Sequence, residues 1–178
     1  ELTKLISDID VRIAEAEKRE AARRLALRKK AEEERRRKNT STKSEPVVVA
    51  SPSVNFTQLK GRLTMPASGT IAARFGQKRE GAASTLPWRG LLIRAKQGAN
   101  VVAAGPGTVV FSDWMRGFGN LLIVDHRSNY LSVYANNESP YTSAGDKVKQ
   151  GETIASVCNS SREARPGSYS ELRLRGTP

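Results

Sequence analysis

The 178-residue sequence has little of what metal and redox chemistry needs. Cys158 is its single cysteine and His126 its single histidine. One thiol excludes an intramolecular disulfide and a thiolate metal cluster. One imidazole cannot supply the two that a His-based zinc site takes, and with His126 read as a structural residue none is left as the base that a serine or cysteine nucleophile needs. Aromatic residues make up 6% of the chain, and no helix-turn-helix, finger or RNP-like motif accompanies them, so nucleic acid is not expected as a partner. No run of about 18 apolar residues is present, so no segment reads as spanning a bilayer. Acidic residues are outnumbered 18 to 30 by basic ones, a net charge of +12. Such a field favours an anionic partner: a cell-wall glycan peptide or an acidic protein face. With 38% hydrophobic residues, the chain suits one modest globular unit plus a polar segment.

Three blocks follow from composition. Residues 1–38 are rich in Ala, Glu, Arg, Lys and Leu without Gly or Pro, which predicts a helix. Leu2, Ile6, Ile9, Ile13 and Ala16 repeat at alternating steps of four and three, the a/d stripe of a coiled coil. The stripe weakens after Ala16, so this block is expected to be the end of a longer coiled coil. The basic run Arg35-Arg36-Arg37-Lys38 reads as its solvated end. The first residues, Glu1-Leu2-Thr3-Lys4, carry no initiator Met and no apolar leader, so the chain is read as a fragment or processed product. Residues 39–60 are rich in Ser and Thr, and Pro46 and Pro52 interrupt any helix; this is a linker. Phe56 and Leu59 at its end are expected in a short helix lying on the next domain.

From residue 61 glycines punctuate short runs enriched in β-branched and apolar residues: 70–75, 91–94, 101–103, 108–112, 121–125, 131–134, 153–157 and 169–174. Short strands at this spacing predict a mainly β domain over 61–178, an antiparallel β-sandwich or open barrel. It is basic by itself: residues 46–178 hold 16 basic and 8 acidic side chains, net +8.

Several phrases in this block are specific together. Pro66-Ala67-Ser68-Gly69-Thr70-Ile71 with Arg74-Phe75-Gly76, the hairpin Gly98 to Val109, Gly117-Phe118-Gly119-Asn120 with Ile123-Val124-Asp125-His126, and Gly145 to Ala155 follow one another in a fixed order. In that order and spacing they resemble the LytM/lysostaphin-type zinc endopeptidase domain over about residues 62–178. The resemblance implies the LytM fold, of the duplicated-hybrid-motif type. The family writes H-x-G-x-D, Y-x-H and H-x-H where this chain has Trp88-Arg89-Gly90-Leu91-Leu92, Tyr134-Ala135-Asn136 and Gly167-Ser168-Tyr169. Its zinc ligands therefore fall on Trp88, Leu92 and Tyr169, and its two water-assisting histidines on Gly167 and Asn136. No metal ligand, catalytic residue or cofactor is expected, and the domain is identified as a degenerate member. His126 matches a family histidine that is not a ligand. Cys158 stands where a small glycine is usual.

The phrases around Trp88, Asp113-Trp114 and Arg165-Pro166 are similar to the murein hydrolase activators of bacterial cell division. That resemblance implies a periplasmic, non-catalytic activator. Its former peptidase groove would bind a regulatory helix of an N-acetylmuramoyl-L-alanine amidase, and its coiled coil would reach an FtsEX-type membrane complex. The groove is expected to use Trp88, Arg89, Leu92, Phe118, Tyr134, Asn136, Tyr169 and Arg173. Apolar anchors with Arg at the rim suit helix-in-groove recognition. Period 2 places Tyr169, Glu171 and Arg173 on one side of their strand, with Glu171 a possible structural partner of Arg173. Two other readings of the same groove are a peptidoglycan-binding module and an active zinc endopeptidase with unusual ligands.

Overall fold

The computed structural model describes residues 2–37, 56–79, 86–158 and 166–174. The linker from 39 to 55, Lys38, Arg165 and residues 175–178 lie outside them. The chain divides into two compact units, Glu1–Ser53 and Val54–Pro178. In the first, α1 runs from Leu2 to Arg37 as a single helix of 36 residues. Its composition accounts for this: good helix formers throughout, with neither Gly nor Pro to interrupt it. No helix among the described residues is long and apolar enough to cross a membrane.

The second unit opens with a 3-10 turn, Phe56–Leu59, where the short helix was expected. Nine strands follow: β1 Thr70–Ala73, β2 Leu91–Arg94, β3 Asn100–Val102, β4 Gly107–Met115, β5 Gly119–Asp125, β6 Tyr130–Pro140, β7 Lys147–Val148, β8 Thr153–Val157 and β9 Gly167–Leu174. They form one antiparallel sheet in the order β1-β2-β9-β6-β5-β4-β7, with β8 pairing both β3 and β6. The path does not return from β7 to β1, so the sheet is open.

β6 organises the unit. Residues 130–135 pair with β9, and 131–134 pair with β5. Further on, Asn137 and Pro140 pair with Val157 and Ala155 of β8. Between the two halves Asn136 has a positive φ of 62°, a conformation Asn adopts more readily than most residues. The break redirects the strand: Asn137 still pairs with Asn120 of β5, while Pro140 ends beside Ala155 of β8. Val101 and Ala103, Val109, Leu122 and Val124, Val148, and Ile154, Ala155 and Val157 then enclose one buried core.

Tyr134 belongs to that core, which corrects its expected place in the groove. It stands opposite Leu122 on β5 and Ser170 on β9 and is wholly buried. Its hydroxyl accepts the Ala104 N–H at 2.8 Å and lies 2.9 Å from Ser132 Oγ. A tyrosine buried this deeply needs such partners for its polar end.

Candidate functional site

Of the three positions expected to match the family's ligands, Leu92 and Tyr169 meet on the β2–β9 ladder and Trp88 lies before it. Leu92 stands opposite Tyr169, and Leu91 opposite Ser170. Gly90 lets the two strands come together, because a Cβ there would fall 2.2 Å from the Ser170 carbonyl oxygen. The segment before β2 is held by a second ladder: Gly76 N–H donates to Trp88 O at 2.7 Å, and Trp88 N–H donates to Gln77 O at 2.9 Å. The Trp88 ring consequently lies 6.2 Å from the ring of Tyr169. The Arg79 guanidinium sits over the Trp88 ring, 4.1 Å from its centre, within cation–π range.

Tyr169, Glu171 and Arg173 do share one side of β9. The Tyr169 hydroxyl donates to Glu171 Oε2 at 2.7 Å, and Arg173 Nε lies 2.6 Å from Glu171 Oε1. All three are buried. Burial, followed by the bond to the Glu171 carboxylate and its charge, holds the Tyr169 phenol well above its ordinary pKa, against the opposing charges of Arg173 and Arg79. The phenol is a neutral donor to Glu171, and that carboxylate is also the counter-charge of Arg173.

The wall comes from the β4–β5 hairpin. Gly117 and Gly119 have φ of 91° and 69°, which places Phe118 at the turn, its N–H donating to Met115 O at 3.0 Å. Asn136 N–H donates to Phe118 O at 2.8 Å, tying the hairpin to the break in β6. Ala135 stands opposite Tyr169, so Asn136 follows at the end of that ladder. Trp88, Phe118 and Asn136 are half-buried and Arg89 is exposed, whereas Leu92, Tyr169 and Arg173 are buried. Seven of the eight expected groove residues thus belong to β2, β9, the hairpin and the break in β6 or their flanks. Tyr134 turns to the core, and Arg173, expected at the rim, is buried against Glu171. Sequence reasoning missed Arg79, whose contact with Trp88 depends on the ladder between residues 76–77 and 88.

Among the described residues, the positions expected for the family's zinc ligands do not fit that ion. Trp88 and Leu92 offer no donor atom suited to a metal, and the Tyr169 hydroxyl is bonded to Glu171. A Cβ at Gly167 would lie 2.8 Å from the Ile93 carbonyl oxygen, so this backbone has no room for a histidine there without moving β2. Among the described residues no three His, Cys, Asp or Glu side chains form a metal-binding group.

His126 is structural. Its Nδ1 lies 2.7 Å from Pro106 O and its Nε2 2.6 Å from Ser132 Oγ. A carbonyl only accepts, so Nδ1 carries the proton and Nε2 accepts from Ser132. Phe56 stacks on the ring with centroids 4.2 Å apart and planes 15° apart. Burial lowers the His126 pKa from 6.5 to about 4, the bond to Pro106 opposing.

Comparison with known proteins agrees with this geometry. Residues 86–178 match the model of peptidase family M23. The murein hydrolase activator EnvC of Escherichia coli K12 is 34% identical over 117 residues, 66% of this chain and 27% of that protein. The murein hydrolase activator NlpD of Salmonella typhimurium is 31% identical over 112 residues, 62% of this chain and 28% of that protein. This chain therefore spans little more than a quarter of the length of either relative. Among solved structures, a zinc-containing peptidase from Vibrio cholerae superposes with a TM-score of 0.57 at 26% identity, covering 62% of this chain and 35% of that one. The catalytic domain of lysostaphin from Staphylococcus simulans gives 0.55 at 18% identity, over 66% and 85% of the two chains, a likeness of fold alone. The match over residues 86–178, more than half of the sequence, decides the family: this chain belongs to peptidase family M23.

Proposed function

We propose that the β domain is a non-catalytic activator of peptidoglycan amidases, and that it works by holding a helical regulatory segment of an N-acetylmuramoyl-L-alanine amidase in the former peptidase groove. The observation that carries this reading is the pairing of Leu92 with Tyr169. Where a peptidase of this family would converge donor atoms on zinc, this chain has an aliphatic side chain facing an aromatic one, with the Glu171 carboxylate beside them already engaged by Tyr169 and Arg173. A cleft of that composition is suited to touching apolar side chains. Two relatives named as murein hydrolase activators support the same direction.

In this reading Trp88, Arg89, Phe118 and Asn136 meet the partner first. Leu92, Tyr169 and Arg173 lie buried, so a partner reaches them only once they are uncovered. The domain spans residues 61–178 and is joined by the linker 39–60 to a coiled-coil helix, 1–38, which connects to an FtsEX-type membrane complex. The protein works in the periplasm, next to its amidase and the peptidoglycan.

Calorimetric titration of a purified amidase into this protein tests the proposal. A saturable complex is expected, weakened by Trp88→Ala. An apolar anchor in a groove often costs about 2 kcal/mol or more when truncated. Absence of a complex, together with pelleting of the protein by isolated sacculi, would move the assignment to a peptidoglycan-binding module.

A further inference from the structure

Beside the groove lies a surface that shares only Trp88 and Arg89 with the groove assignment. The loop after β1 and the segment before β2 run antiparallel through the two bonds between Gly76, Gln77 and Trp88, and the Gln77 side chain accepts the Arg74 N–H at 3.1 Å. This small ladder carries Phe75, 64% exposed, and Leu86, 58% exposed. Arg74, Lys78, Arg79 and Arg89 surround them, all exposed. Among the described residues none of these four cations is paired with a carboxylate; Arg79 instead covers the Trp88 ring. The Trp88 ring lies 6.2 Å from that of Tyr169, so the cationic surface adjoins the cleft.

We infer that this ladder is the outer half of the docking site and selects an acidic amphipathic helix, its apolar stripe laid over Phe75, Leu86 and Trp88 and its Asp and Glu side chains meeting Arg74, Lys78, Arg79 and Arg89. The inference rests on the amidase reading above and adds the chemistry that the partner helix must present. Charge complementarity decides the occupant. Four cations that meet no carboxylate among the described residues, around two exposed apolar side chains, repel a basic helix, and a neutral one would leave them unanswered. Because the charges stand at the rim, they act chiefly on the rate of encounter and on its dependence on salt.

The test uses residues outside the groove set. In the full chain, Arg74→Glu/Lys78→Glu/Arg79→Glu and, separately, Phe75→Ala are compared with wild type for amidase stimulation on dye-labelled sacculi at low and high salt. Vesicles containing an anionic phospholipid and isolated sacculi serve as competing surfaces. The charge-reversed protein is expected to need roughly tenfold more protein for half-maximal stimulation at low salt, with the difference shrinking at high salt and the thermal midpoint unchanged. Phe75→Ala should raise that concentration without altering the salt dependence. If wild type stimulates and the charge-reversed protein matches it at both salts, the ladder is not part of the docking site, although the groove assignment stands. If the reversal removes binding to vesicles or sacculi and leaves stimulation intact, the surface serves lipid or murein and the inference falls. If wild type itself gives no stimulation, the inference falls together with the reading beneath it.

Discussion

Tyr169 and Glu171 are joined side by side on β9, the phenol donating to Oε2 at 2.7 Å while Oε1 faces Arg173 Nε at 2.6 Å. A side chain expected at one of the family's metal positions is thereby tied to a neighbouring ion pair, and the three residues stand or fall as a unit. Removing Glu171 leaves a buried guanidinium without that counter-charge. Glu171→Ala is expected to cost about 3–5 kcal/mol in urea unfolding, the range for breaking a buried pair by deleting one partner. Arg173→Met/Glu171→Leu should recover much of it. Equal losses in the single and double variants would mean that the pair is not coupled.

His126 predicts a pH dependence. Its pKa is lowered from 6.5 to about 4 in the folded protein by burial. The unfolded chain therefore takes up this proton first as pH falls. Its contribution is fully present above pH 6.5, declines between 6.5 and about 4, and then levels off. The gap corresponds to about 3 kcal/mol. Urea midpoints measured from pH 7.5 to 4 check it: His126→Gln should be less stable than wild type at neutral pH and lose less on acidification. An unchanged slope in that variant would assign the dependence to other groups.

Phe56 is held by the same cluster. Its ring stacks on His126 and lies 5.2 Å from Tyr130. A Cβ at Gly105 would come within 2.6 Å of Phe56 Cε2. Phe56→Ala is expected to destabilise the domain by about 3 kcal/mol or more. Gly105→Ala should destabilise it by displacing the ring, and the two changes together should cost less than their sum. Additive losses would show that Gly105 matters for another reason.

Much of the β unit was legible in the sequence. Each of the eight expected runs holds a strand, although β1 stops at Ala73 and β3 at Val102, because Gly and turn residues separate clusters of β-branched side chains. Lys147–Val148 escaped notice because two residues carry no periodicity. β6 was expected to stop at Tyr134 but continues to Pro140, since Asn136 absorbs the bend in one positive-φ residue. Tyr134 was placed on the wrong side for a related reason. Every residue from Leu131 to Asn137 except Asn136 is buried, so no alternation of polar and apolar residues distinguishes the two faces. Only the pairing with Leu122 decides it. Tyr134→Ala should accordingly lower stability by several kcal/mol, about the range for emptying a core aromatic site, rather than act selectively on partner binding. A thermal midpoint equal to wild type would return Tyr134 to the groove.

Metal should be irrelevant to the fold of this domain. Incubation with a strong chelator is expected to leave its thermal midpoint unchanged, and added zinc should not raise it, because a ligand bound only by the native state stabilises it. A zinc-dependent rise at stoichiometric metal would contradict the ligand assignment.

Dye release from labelled sacculi tests the central claim most directly, with this protein alone, an N-acetylmuramoyl-L-alanine amidase alone, and the two together. The account predicts no release by this protein alone, with or without added zinc, and faster release by the mixture than by the amidase. Release by this protein as the sole protein, or a mixture no faster than the amidase, would contradict it.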